Sequence, residues 1–180
     1  MNDEKSIIER LKQKDEECFI EVVNSYKKKV LALCYSYIED YYEAEDLSQE
    51  VFTSLYKSID KFRGNCSLST YIYKITVSKC LDYKRKKSLK GFLTDMFHIQ
   101  KAEEPVDLDE KIFVRQCIKK LSKDLRLVVV LYYYIGFSQK EIGEILNITP
   151  RAVEGKIYRA KKKLKNELKK EDATYARKMG

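Results

Sequence analysis

An all-α protein of two small helical domains joined by a linker is what the sequence predicts, and three observations predict it. Six glycines and two prolines in 180 residues are too few for the tight turns of a sheet protein. Apolar residues recur every three or four positions over long stretches, the period of a helix with one buried face. Capping residues stand where the carboxy-terminal stretches begin. With 44% hydrophobic residues the chain can build a core, and 36% charged residues leave much of its surface ionised. The balance of 36 basic and 28 acidic residues, a net charge of +8, suits a polyanionic partner or an anionic membrane surface.

Met1 to Lys14 alternates charged and apolar positions and has no continuous apolar region, so it is not a secretory signal. Phe19, Val22, Val23, Tyr26, Val30, Leu33, Cys34 and Tyr37 then lie on one face of a long helix. A second helix follows from about Tyr42, with Ala44, Leu47, Val51 and Leu55 inward. A third starts near Ser69, with Leu68, Ile72, Ile75 and Leu81 as its core face. Between the second and third lies Asp60 to Ser67, a loop in which Gly64 and Asn65 tolerate positive φ. Residues 1–87 thus read as one helical domain.

Periodicity weakens over 88–110, where Glu103, Glu104, Pro105, Asp107, Asp109 and Glu110 make an acidic linker. It returns with Val114, Ile118, Leu121, Leu125, Val128, Val129 and Tyr132, ahead of two short helices, so 111–170 reads as a second, four-helix domain. Residues 171–180 read as a polar tail, fraying from about Lys169. The longest apolar run, Leu127 to Ile135, is too short to span a bilayer, so a cytoplasmic protein with no membrane insertion is expected.

Five cysteines, Cys18, Cys34, Cys66, Cys80 and Cys117, are odd in number and never arranged as Cys-x-x-Cys, which fits reduced thiols serving mostly as small core residues. With a single histidine, His98, a zinc or histidine-based metal centre lacks its ligands.

The most specific segment runs from Ile135 to Lys162. Ser138 and Glu141 form a capping box that starts a helix. Asn147 interrupts after Leu146, and Thr149 with Pro150 supplies an N-cap and a first-turn proline. Two helices joined by so short a turn make a helix-turn-helix. Ile142, Ile145, Ile148, Val153 and Ile157 close its core, which leaves Arg151, Ala152, Glu154, Gly155, Lys156 and Arg159 outward. A helix entering the major groove needs base-reading side chains in its first turns and cations beside the phosphates, and this one has both.

In the first domain Asp46, Gln49 and Glu50 share one exposed helix face, suited to a basic protein surface or a divalent metal, or simply to solvent. On the third helix Lys74, Lys79, Lys84, Arg85, Lys86 and Lys87 accompany Tyr71, Tyr73 and Tyr83, a combination that suits DNA whose strands are parting; the rings equally suit helix packing. Asp82 is placed to pair with Arg85 or Lys86.

Taken in order, these motifs resemble the extracytoplasmic-function class of bacterial RNA polymerase sigma factors over about Phe19 to Leu168. AEDLSQEVF at 44–52, STYIYKI at 69–75 and DYKR at 82–85 match the first domain; Leu121, Arg126, Val128 to Leu131, Ser138, Glu141, Ile142, Leu146, Val153, Arg159 and Ala160 match the second. The resemblance implies a protein that is not an enzyme, needs no cofactor or metal, binds core RNA polymerase and selects and melts promoter DNA. Asp46, Gln49 and Glu50 would dock on the basic coiled coil of the polymerase clamp. Lys61, Arg63, Asn65, Cys66, Tyr71, Lys74, Ser78 and Arg85 would capture an extruded base of the minus-ten element and hold the melted strand. Thr149, Arg151, Ala152, Glu154, Gly155, Lys156 and Arg159 would read the minus-thirty-five element, with the second domain on the polymerase flap and the acidic linker in the RNA path. An anti-sigma factor is a typical partner.

Tyr71 stands where the family usually has tryptophan, Ser78 where it often has asparagine, Glu154 where lysine is usual and Ser122 where proline is common. Gly155 costs a helix up to about 1 kcal/mol against alanine. Two other readings of the residues stay open: a regulator that uses only the helix-turn-helix, and a magnesium nuclease built on Asp46, Glu50 and Asp82.

Overall fold

The computed structural model describes the backbone of residues 2–91 and 116–178, and the side chains of 4–87 and 116–169. The chain divides into two compact units, Met1–Ala102 and Glu103–Gly180. No strand occurs among the described residues. The acidic linker residues from Glu103 to Glu110, and His98 and Val114, lie outside them, while residues 88–91, read as the start of the linker, are the last turn of a helix.

The first unit holds α1 (Asn2–Lys12), α2 (Glu16–Ile38), α3 (Tyr41–Ser58), a single 3-10 turn (Ile59–Lys61) and α4 (Leu68–Gly91). Side chains rather than glycines punctuate the first two junctions. Asp15 caps α2 by accepting the Cys18 N–H at 3.0 Å. That bond, and then the Arg10 guanidinium at 2.8 Å, hold its carboxyl below the usual carboxylate range. Glu39 ends α2 in the left-handed region, and Asp40 caps α3 through the Glu43 N–H at 3.1 Å.

The three long helices bury a common seam. Val30, Leu33 and Cys34 of α2, Ala44, Val51 and Leu55 of α3, and Ile72, Thr76 and Cys80 of α4 have no exposed surface. Thr76 is admitted because its hydroxyl donates to the Ile72 carbonyl at 2.9 Å. Four of the five cysteines are buried and all five are free thiols. Burial pushes the Cys18 thiol up; a hydrogen bond with the Cys34 thiol, and then burial, push the Cys80 thiol up.

On α4 the expected core face is rotated. Leu68, Ile72, Tyr73, Val77 and Cys80 are buried, Ile75 is half-buried and Leu81 is 45% exposed. Leu81 follows Cys80 by one position, about 100° around the helix, so the two cannot both face the seam.

The second unit contains a helical turn ending at 119, α5 (Lys123–Val129), a π-helical segment (Val130–Ile135), α6 (Gln139–Leu146) and α7 (Pro150–Lys178). Arg126, 3% exposed, donates Nε to the Ile118 carbonyl at 3.2 Å and Nη2 to the Leu121 carbonyl at 3.1 Å and to that of Lys119. A fixed fork of donors thereby satisfies the carbonyls at the end of one helix before the next begins. Leu121, Leu125, Val129 and Ala160 form a core against which Leu164 packs.

The last helix is not short. It runs 29 residues, through the stretch read as a frayed tail, because Lys, Glu, Leu and Ala are strong helix formers and no Gly or Pro interrupts them until Gly180, apart from Gly155.

Replacing Leu55, which has no exposed surface, by alanine should cost about 2–5 kcal/mol of stability in urea unfolding. The same change at Leu81 should cost under about 1 kcal/mol.

Candidate protein and nucleic-acid interfaces

The acidic face of α3 follows from how the helix is held. Ala44, Leu47, Ser48 and Val51 turn into the seam, so Asp46, Gln49 and Glu50 stand together in solvent. They line one shallow depression with Thr53, Ser54, Lys57 and Lys79. Lys79, read from sequence among the cations facing a nucleic-acid strand, instead reaches from α4 to Glu50 at 3.3 Å. Gln49 and Thr53 also border an apolar groove lined by Phe19, Ile20, Val23, Phe52 and Tyr56. Asp82 pairs with Arg85 one turn along α4, and among the described residues no three His, Cys, Asp or Glu side chains are grouped to hold a metal. Asp46, Glu50 and Asp82 are therefore not gathered into a divalent-cation site.

The loop between the 3-10 turn and α4 is anchored at its entry by an aromatic wall. Phe62 is buried and its ring lies 4.8 Å from that of Tyr71, whose hydroxyl meets the Ser58 hydroxyl at 2.9 Å. Gly64 takes φ +73°, where a side chain would be strained; Asn65 does not share the positive φ. The result is a short arch carrying the exposed Arg63 and Asn65 and the half-buried Cys66, with Lys61 exposed at its entry. Along α4 the half-buried Lys74 and the exposed Ser78 and Arg85 follow.

Of the tyrosines, Tyr71 is a half-buried wall of the arch. Tyr73 is 1% exposed and packs edge-on against Tyr26 at 6.4 Å, so it is core and cannot stack on a base. Tyr83 is half-buried, with the Lys87 ammonium 5.5 Å over its ring.

In the second unit the helix-turn-helix forms from its local signals. The Ser138–Glu141 capping box has both its bonds, the Ser138 N–H to Glu141 at 2.9 Å and the Glu141 N–H to Ser138 at 3.3 Å. Asn147 ends α6 at φ +53°, and the Thr149 hydroxyl accepts the Ala152 N–H at 3.2 Å to open α7. Gly143 lets the turn fold back: a Cβ there would stand 2.8 Å from the Ile148 carbonyl oxygen.

On α7 the core side chains Val153 and Ile157 are buried, and Arg151, Ala152, Glu154 and Arg159 are exposed. Ile148 and Gly155 are half-buried. Lys156 is less free than its spacing suggests, because its ammonium reaches back to Asp124 of α5 at 3.5 Å and only 23% of its side chain is exposed. Tyr158, 68% exposed, stands on the same helix beside Arg159. Sequence reading missed it because tyrosine is so common here that one more carried no signal.

Comparison with known proteins follows this division into units. Residues 22–89 match the family model for Sigma-70 region 2, and residues 114–164 match that for Sigma-70 region 4. The chain belongs to the sigma-70 family of transcription initiation factors. Within it, the chain is 33% identical over 180 residues to the ECF RNA polymerase sigma factor SigW of Bacillus subtilis, covering 92% of this chain and 96% of that protein. It is 26% identical over 177 residues to the ECF RNA polymerase sigma-E factor of Escherichia coli K12, covering 90% and 92%. This is an extracytoplasmic-function sigma factor, a protein of promoter-specific transcription initiation. The fold is also that of the sigma factor RpoE solved with the anti-sigma factor NepR from Bartonella quintana: TM-score 0.73 at 22% identity, over 84% of this chain and 96% of that one. The structure of CnrH with the cytosolic domain of CnrY matches with a TM-score of 0.71 at 21% identity, over 92% and 97%.

Two glycines of the helix-turn-helix should behave oppositely in thermal unfolding. Gly155→Ala should stabilise the second unit by up to about 1 kcal/mol, since its Cβ would meet only Arg159 Nη1 at an ordinary 3.7 Å. Gly143→Ala should destabilise it, because the obstructing atom is backbone.

Proposed function

We propose that the two units divide the work of initiation between named faces. The observation that carries this reading is that the two units matched to regions 2 and 4 leave Asp46, Gln49 and Glu50, the arch residues Arg63 and Asn65, and Arg151 and Arg159 of α7 exposed beside their buried cores. Asp46, Gln49 and Glu50 bind the basic coiled coil of the polymerase clamp, with Coulomb attraction steering the encounter. Lys61, Arg63, Asn65 and Cys66, with Tyr71, Lys74, Ser78 and Arg85 of α4, take up an extruded base of the minus-ten element and the backbone of its strand. An exposed arch of cations and an amide over an aromatic wall suits an unstacked base, whose edge hydrogen-bonds while its neighbouring phosphates are neutralised.

Thr149, Arg151, Ala152, Glu154, Gly155, Lys156 and Arg159 lie along the minus-thirty-five element. Arg151, in the first turn of α7, is placed to reach a base edge; Glu154 accepts from a cytosine amino group; Arg159 and the following lysines hold phosphates. The same unit meets the polymerase flap, and the acidic linker enters the RNA path. The protein works in the cytoplasm, where polymerase is; no helix among the described residues is long and apolar enough to cross a membrane. By extension from the Bartonella quintana relative, an anti-sigma factor restrains this chain as well.

Asp46→Ala with Glu50→Ala should weaken binding to core RNA polymerase by roughly tenfold, about 1.4 kcal/mol, in a fluorescence titration, with thermal stability unchanged. Equal affinity in a folded variant would remove the assigned interface. Arg151→Ala should cost about 1–3 kcal/mol of binding to a cognate upstream element, read as lost initiation and as relaxed preference at one base pair. Normal initiation with unaltered preference would refute its role.

A further inference from the structure

The arch of residues 62–67 is held at both ends by a segment outside the region matched to the family model, which begins at residue 22. The turn after α1 places the Lys14 ammonium 2.8 Å from Asp60 Oδ2 and 2.8 Å from the Tyr56 carbonyl, at the 3-10 turn that enters the arch. At the other end of α1, Glu4 Oε1 accepts the backbone N–H of Leu68 at 2.5 Å, where the arch becomes α4.

The first N–H groups of a helix have no partner within it. Along α4, Ser67 Oγ accepts from Thr70 N at 3.1 Å, and Glu4 supplies the acceptor for Leu68 across 64 positions of sequence. The first turn is thus held from α1 and from its own cap. A carboxylate at a helix N-terminus also opposes the positive end of the helix dipole.

We infer that Glu4 is a positioning residue for promoter opening: α1 is a brace across the minus-ten arch, and its Glu4 carboxylate fixes where the arch joins α4. Arg63 and Asn65 can meet an extruded base only if their backbone is already in place, since ordering it on binding would subtract from the affinity. In this role Glu4 acts through the Leu68 N–H and needs no contact with DNA. The inference rests on the assignment of the arch to the minus-ten element, and its test separates the two.

The experiment uses the full chain with core polymerase on a duplex promoter from which the wild-type chain initiates, with strand opening followed by a fluorescent base analogue in the minus-ten element. Glu4→Ala should lower the extent of opening by about fivefold, the shift in an equilibrium that the loss of one helix cap typically produces. Affinity for core polymerase should stay as in wild type. Glu4→Gln, which keeps an oxygen acceptor, should return opening to within about twofold of wild type. An Arg63→Ala, Asn65→Ala variant should also fail to open.

If Glu4→Ala opens normally while the Arg63, Asn65 variant fails, the brace is overturned and the arch assignment stands. If both open normally, the arch assignment falls and the inference with it. Loss of core binding together with opening in Glu4→Ala, or failure of Glu4→Gln to recover, would also overturn positioning through this hydrogen bond.

Discussion

Burial of one seam between α2, α3 and α4 constrains everything the first unit presents outward. A helix with 3.6 residues per turn has one rotational setting once three or four of its positions are fixed. With Ala44, Val51 and Leu55 fully inside, Asp46, Gln49 and Glu50 have nowhere to point but away from the core. With Ile72, Thr76 and Cys80 inside, Tyr71 comes to the arch and Ser78 to solvent. The faces proposed to be functional are the complement of the packed face, so a change in core packing that rotates a helix would move such a face without altering any residue in it.

The second constraint is at the helix ends. So few glycines leave the chain to turn on side-chain caps and on isolated left-handed residues, namely Lys14, Glu39, Asn147, Gly64 and Gly136. Asp15, Asp40, Ser67, Ser138 and Thr149 each supply an oxygen to an otherwise orphaned N–H. Short capped turns fix the helix-turn-helix geometry before any partner arrives, and a pre-ordered helix loses less entropy on binding. Arg126 performs the corresponding task for carbonyls, and its burial is tolerated because its donors are spent on backbone oxygens.

What could be read from sequence was local. The period of α2 and α3, the capping box at Ser138, the break at Asn147 and the cap at Thr149 each need only neighbours within four positions, and the structure has all of them. The acidic face of α3 was legible for the same reason. What escaped was tertiary. Lys79 with Glu50, Lys156 with Asp124 and Glu4 with Leu68 join positions 29, 32 and 64 residues apart, and no periodicity announces them. Two of these bear on a proposed role: Lys79 pairs with the acidic face, and Lys156 is partly held within its own unit. Leu81 failed differently, because an apolar residue at nearly the right spacing is indistinguishable in sequence from one at the right spacing.

As a sigma factor, this chain supplies promoter choice to RNA polymerase. The most direct measurement is transcription by purified core polymerase from a library of duplex promoters, with and without the full chain, followed by sequencing of the transcript starts. A promoter-specifying subunit should produce starts that depend on the chain and share two sequence elements at fixed spacing, one upstream and one at the melted region. Starts unchanged by the chain, together with sequence-specific binding of the chain to duplex DNA without polymerase, would contradict that claim and leave a helix-turn-helix regulator in its place.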